Sequence, residues 1–156
     1  MFYCGIDPSL TGTGIVVLNE NLEIAEQKLI TTKSSDEIEN RLESIVSQII
    51  SILEKYTPIN VNIEGLSFGS RGQSMLELAG LHYLIRISLK GRCINYEMVP
   101  PTVIKKFVTG KGNCKKNLML LNVYKKYGIS FEDDNLCDAY CLSRICFERW
   151  KSSGKM

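Results

Sequence analysis

The sequence predicts an α/β domain with one mixed five-stranded sheet and helices on both faces. Three observations carry that expectation. Short apolar runs bounded by turn residues alternate with longer stretches of helical periodicity. The first runs follow one another at hairpin spacing, whereas the later ones are separated by helix-length segments, so antiparallel and parallel pairing are both required. At 156 residues the chain can bury one sizeable core and no second one.

The elements follow in order. Phe2–Asp7 reads as a buried strand, and Pro8-Ser9-Leu10-Thr11-Gly12 as the turn after it. Gly14–Leu18 and Leu22–Thr32 complete an antiparallel meander. Ser34-Ser35-Asp36-Glu37 has the form of a capping box, and Ile38, Leu42, Ile45, Val46, Ile49, Ile50 and Leu53 fall at helical spacing behind it. Pro58 ends that helix, and Ile59–Glu64 returns as a buried strand. A Gly- and Ser-rich loop, Gly65–Gln73, leads into a helix over Ser74–Leu89. Ile94–Val99 is the last strand, stopped by Pro100-Pro101. Helices over Thr102–Val108 and Lys115–Tyr127 flank a Gly-containing loop, and a final helix runs over Asp133–Trp150. Residues 1–151 form the domain, and 152–156 are expected to be a disordered C-terminal tail.

Hydrophobic residues make up 44% of the chain and charged residues 23%, the balance of an ordinary globule. No apolar run approaches a membrane span and the N-terminus lacks a signal-peptide pattern, so the expected location is intracellular and cytoplasmic. Cys4, Cys93, Cys114, Cys137, Cys141 and Cys146 show no CxxC spacing, and the single histidine, His82, supplies no zinc partner nearby. Reduced, mostly buried thiols are expected.

Charge is unevenly distributed. Residues 101–130 hold Lys105, Lys106, Lys111, Lys115, Lys116, Lys125 and Lys126 and no acid, while the rest of the chain is net acidic. Such a segment is either a solvated helix face or a polyanion-binding one. Gly110 and Gly112 within it favour binding, because they let backbone N–H groups approach phosphate.

Acidic residues stand at the ends of apolar runs. Asp7 closes the first strand, Glu64 closes Ile59–Ile63, and Asp134 and Asp138 open the last helix. Each alone reads as a turn residue. Buried together, such carboxylates require a compensating cation, and hard oxygen ligands suit Mg²⁺. Two such ions are a general device for cutting phosphodiesters. In an open α/β sheet the reactive crevice lies at the carboxyl ends of the strands, where Asp7 and Glu64 stand. Asp134 and Asp138, four residues apart, share a helix face. The opposite face carries Leu136, Ala139, Tyr140, Ser143, Phe147 and Trp150 and is expected to pack on the sheet.

Four segments, in order and spacing, resemble the RuvC-type Holliday-junction endonucleases of the ribonuclease H-like superfamily. Gly5-Ile6-Asp7-Pro8-Ser9-Leu10-Thr11-Gly12-Thr13-Gly14 is similar to that family's opening motif, and Ile63-Glu64-Gly65 to its second acidic strand. Pro101–Gly112 with Lys115-Lys116 resembles its basic DNA-contacting segment, and Asp138-Ala139-Tyr140-Cys141-Leu142 the helix with its last acid. The resemblance covers almost the whole chain. It implies a ribonuclease H-like fold and a dimeric, Mg²⁺-dependent enzyme, with two ions per subunit and Mn²⁺ able to substitute, that hydrolyses branched DNA: four-way junctions first, with forks and flaps as further candidate substrates. Asp7 would bridge the two metals, with Glu64 and Asp138 each completing one site. Lys105 and Lys116 match basic residues near the scissile phosphate, with Lys106, Lys111 and Lys115 beside them as DNA contacts.

Two positions depart from the family pattern. The family has an acid or His three residues before the last Asp, and here that residue is Asn135, an uncharged ligand at best. Asp134 stands one residue earlier, either as the replacement acid or as the helix cap. In the loop after Glu64 the family places an aromatic where this chain has Ser67, with Phe68 next. Phe68 and Arg71 are the side chains expected to probe an unstacked junction centre. For the dimer, the helix stripe Met75, Leu78, Leu81 and Ile85 is the expected interface.

Three other functions fit parts of the pattern. A sugar-kinase or actin-like ATPase lobe shares the Asp7–Gly12 hairpin but needs a second lobe. A branched-DNA-binding protein without strong catalysis would account for Asn135. A ribonuclease H acting on RNA–DNA hybrid shares the chemistry and leaves the lysine segment unexplained.

Overall fold

The computed structural model describes residues 1–66 and 72–154, with Lys116 described by its backbone alone. Phe68 and Arg71 lie outside the described residues. The elements run β1 (Phe2–Asp7), β2 (Gly12–Asn19), β3 (Ile24–Thr31), α1 (Ile38–Tyr56), β4 (Asn60–Glu64), α2 (Gln73–Gly91), β5 (Tyr96–Val99), α3 (Pro101–Thr109), α4 (Lys116–Tyr127) and α5 (Asp134–Ser152). The sheet order is β3-β2-β1-β4-β5, and this is the mixed five-stranded sheet expected. β1 pairs antiparallel with β2, and β2 with β3, while β4 runs parallel to both β1 and β5.

Strand alternation divides the core into two layers. Cys4 and Ile6 of β1, Ile15 and Val17 of β2, and Val61 and Ile63 of β4 pack against Ile45, Ile49 and Leu53 of α1 and Leu81, Ile85 and Leu89 of α2. Val16, Leu18 and Val99 face the other way, against Ala139, Tyr140, Leu142 and Ile145 of α5 and residues of α3 and α4.

Two glycines let α5 lie directly on the sheet. A Cβ at Gly5 would stand 2.1 Å from the Ala139 carbonyl oxygen, and one at Gly14 would stand 2.2 Å from that of Asn135. Only residues without a side chain admit the helix backbone so closely. Polar contacts fix its register. The Ser143 hydroxyl donates to the Val16 carbonyl at 2.7 Å, and buried Asn62 donates its amide to the Leu142 carbonyl at 3.2 Å.

Several boundaries differ from the sequence expectation. The capping box does not form: Glu37 is the N-cap of α1 and makes no side-chain cap bond, while Ser34–Asp36 belong to a turn closed from Asp36 N–H to the Lys33 carbonyl. The cause is tertiary. Arg41 is drawn inward, donating to the Leu10 carbonyl at 2.8 Å and the Thr32 hydroxyl at 3.0 Å, which fixes where α1 begins. At α5 the cap is Asp133, whose carboxylate accepts from the N–H groups of Asn135 and Leu136 at 2.8 and 3.2 Å. Asp134 is therefore not the cap. α5 takes in Ser152, assigned above to the tail, and the amides of Ser153 and Gly154 bond back to the helix.

The expected dimer stripe also needs correction. Leu81 and Ile85 are core residues and Leu78 packs against them, because α2 must bury one face to cover the sheet. The apolar side chains that α2 exposes are Leu76, Tyr83, Leu84 and Ile87. No helix among the described residues is long and apolar enough to cross a membrane.

Candidate active site

Strand parity and register bring the first two acids together. Gly5 of β1 and Asn62 of β4 are register partners, as are Ile6 and Ile63. Asp7 and Glu64 are the next step along two parallel neighbours, on the face that Gly5 and Asn62 turn towards α5. The close seat of α5 on Gly5 and Gly14 then lowers Asp138 onto the same strand ends. One carboxylate oxygen each from Asp7, Glu64 and Asp138 lies within 4.8 Å of the others. Asp7 is buried, and the other two acids are half-buried.

These acids line a cavity of about 290 Å³. Asp134 and Asn135 stand on its wall, with Lys105 from α3, Met119 and Leu120 from α4, Leu66 after β4, and Leu78 and His82 from α2. Asp134 thus reaches the cavity but lies outside the tight set of three. Asn135 is engaged through its amide nitrogen, which donates to the Gly12 carbonyl at 2.6 Å. That bond ties the first turn of α5 to the first residue of β2.

The basic segment divides. Lys105 is half-buried at the cavity, and Lys106, Lys111 and Lys115 are exposed on and between α3 and α4. The side chain of Lys116 lies outside what is described. Lys126 serves the fold: its ammonium donates to the Phe107 carbonyl at 3.2 Å and sits 4.8 Å from the Phe107 ring centroid. Gly110, at φ +75°, caps α3 with its N–H on the Lys106 carbonyl, so that amide is already engaged.

His82 is the residue that sequence reasoning missed. In the sequence it offers only the absence of a zinc partner, and the helical period sets it beside Leu78, Leu81 and Ile85 with no sign that it reaches the acids. Burial first, and the neighbouring Arg86 cation second, lower its imidazole to about 4. Cys4, Cys137, Cys141 and Cys146 are buried free thiols, and burial pushes Cys146 up to about 12.

The sheet order β3-β2-β1-β4-β5, with three acids gathered at the strand ends where they could hold a metal ion, defines a ribonuclease H-like fold with a candidate metal site. A family model, crossover junction endodeoxyribonuclease RuvC, matches residues 3–140. The chain belongs to that family. It is 34% identical to the crossover junction endodeoxyribonuclease RuvC of Rickettsia typhi over 124 residues, 77% of this chain and 78% of the relative. It is 28% identical to that of Brachyspira hyodysenteriae over 146 residues, 92% and 91% of the two chains. Among solved structures, Thermus thermophilus RuvC in complex with a Holliday junction substrate superposes with a TM-score of 0.82 at 18% identity, covering 97% of each chain. The Fowlpox virus resolvase with substrate Holliday junction DNA gives 0.62 at 13% identity, covering 94% of this chain and 98% of that one.

Proposed function

We propose that this chain is an intracellular, homodimeric endonuclease that resolves four-way DNA junctions, and cuts related forks and flaps, by hydrolysis in the acidic cavity. The observation that carries this reading is the convergence of Asp7, Glu64 and Asp138 to within 4.8 Å, beside Lys105. The donor set fits hard divalent ions: three carboxylates offer oxygen only, and their mutual repulsion in a partly buried site calls for positive charge. Asp7, Glu64 and Asp138 would hold two Mg²⁺, or Mn²⁺ in their place, with Asp134 adding negative charge at the wall. Bound there, the ions would supply Lewis-acid activation of a water and stabilisation of the departing 3′ oxygen.

The chain's own residues have the remaining tasks. Lys105, with Lys106, Lys111, Lys115 and Lys116 of the same stretch of chain, attracts and registers the phosphate backbone. Phe68 and Arg71 are assigned to the junction centre. Asn135 holds α5 against β2 and so keeps Asp138 at the strand ends. The exposed stripe Leu76, Tyr83, Leu84 and Ile87 on α2 supports self-association through that helix. A four-way junction has paired strands to cut, and a two-fold dimer matches it with two sites.

The test is incubation of purified protein and Mg²⁺ with labelled four-way, three-way, forked and linear duplex DNA and with an RNA–DNA hybrid. Paired cuts in the four-way junction are the expected result. Tight binding without cutting in either Mg²⁺ or Mn²⁺ would support a binding protein instead, and preference for the hybrid would support a ribonuclease H.

A further inference from the structure

His82 stands one turn beyond Leu78 on α2, and both line the cavity that holds Asp7 and Glu64. The residue is only 4% exposed, and its Nδ1 is sealed from solvent with no hydrogen-bond partner among the described residues. A buried N–H without an acceptor costs more than a buried lone pair without a donor, so the proton belongs on Nε2. Nε2 is then the nitrogen left to meet the cavity. With its acidity raised to about 4, the ring is uncharged at neutral pH. A neutral ring that turns an N–H to the cavity offers no lone pair to a metal ion there. It also brings no charge for a bare phosphate, which Lys105 already serves. Leu66 and Leu78 give the cavity apolar walls, suited to the flat and weakly polar parts of a nucleotide.

We propose that His82 is a substrate-binding residue whose Nε2–H donates to an acceptor atom of the nucleotide flanking the scissile phosphate. This rests on the reading of the cavity as the place of cleavage. Bound DNA would place an acceptor against Nε2–H at the cavity wall, and a substrate that leaves this donor unpaired once water is displaced would bind less well.

The test uses the full chain with Mg²⁺ and a four-way junction, and compares His82→Gln, His82→Asn and His82→Leu. Gln carries an amide nitrogen to about the reach of Nε2, whereas Asn stops at the level of Nδ1. The expected result is a roughly tenfold rise in KM for Asn and Leu, near-wild-type KM for Gln, and the same half-saturating Mg²⁺ concentration in all. Thermal melts identify any variant that fails to fold. Wild-type protein supplies an independent arm: junctions with single base changes at the cut, or a methylphosphonate at a flanking phosphate, should include one that raises KM. The change to which His82→Leu has become insensitive identifies the acceptor as base or phosphate. Equal KM for Leu and wild type, Gln as impaired as Leu, a shifted Mg²⁺ midpoint, or no sensitive position for wild type would each overturn the proposal. Asp7→Asn separates the two levels. Undiminished cleavage by that variant removes the cavity reading itself, whereas a dead Asp7→Asn beside a silent His82→Leu removes only this inference.

Discussion

The Asn135 side-chain amide donates to the Gly12 carbonyl across 2.6 Å, and the Gly14 Cα faces the Asn135 carbonyl so closely that a Cβ would stand 2.2 Å from it. One residue of α5 is thus held twice by β2, immediately beside Asp7, whose register partner is Gly14. Asn135→Ala removes the amide bond and leaves the seat intact. The expected cost is about 1 kcal/mol in urea unfolding, with cleavage within a few-fold of wild type. Loss of cleavage at unchanged stability would instead make Asn135 a metal ligand.

Asp134 offers the contrasting substitution. With Asp133 as the cap, Asp134→Asn leaves helix capping untouched and removes one negative charge from the cavity wall. Cleavage should fall at limiting Mg²⁺ and recover as Mg²⁺ rises, because the charge contributes to ion affinity. A rate curve superimposable on wild type across the titration would remove Asp134 from the site.

Asp7→Asn should abolish cleavage and leave junction binding nearly intact. The substitution takes one of three convergent oxygens from the site and reduces repulsion of the phosphate. Retention of more than about a tenth of the wild-type rate would contradict a role at the centre of the metal site, where ligand loss costs several kcal/mol.

Lys105→Ala and Lys126→Ala should separate binding from folding. Lys105 lies at the cavity, so its loss should weaken junction binding and flatten the plot of log affinity against log salt by about one phosphate contact. Lys126 holds the Phe107 carbonyl and ring, so its loss should lower the melting temperature and leave the salt slope unchanged. Measured slopes that reverse this order would place the DNA elsewhere.

Acid stability should report on His82. Between its ordinary value of 6.5 and about 4, the unfolded chain binds a proton at this site that the folded chain refuses. Stability therefore falls as pH drops through that window, by on the order of 2 kcal/mol, and is unaffected above it. His82→Gln, which cannot titrate, should show a shallower decline between pH 6.5 and 4 in thermal melts. Parallel curves for the two proteins would mean that the imidazole reaches solvent.

Gly5→Ala is expected to destabilise the fold by more than about 3 kcal/mol. Its new methyl group would meet the Ala139 carbonyl and the Ser143 amide, both of them backbone. Unfolding midpoints within experimental error of wild type would mean that α5 can lift from the sheet freely.

The sequence by itself determined the element order, the strand faces and two of the three converging acids' common address. Those properties depend on period and parity: apolar alternation assigns each strand a face, and Asp7 and Glu64 both close strands, where parallel neighbours bring carboxyl ends together. Asp138 was legible because its segment resembles a known helix, not because any local rule draws it to Asp7. Tertiary structure alone decided what depends on distant partners. Arg41 moved the start of α1 away from a well-formed capping box, because the Leu10 carbonyl and Thr32 hydroxyl needed its guanidinium more than Ser34 needed the helix. Asp133 rather than Asp134 became the cap of α5 once Gly5 and Gly14 had fixed the seat of that helix. The face of α2 that looked available for a partner went to the core, and His82 went with it to the edge of the acidic cavity. Helical spacing states which residues share a face, but only the packed sheet states which way that face turns.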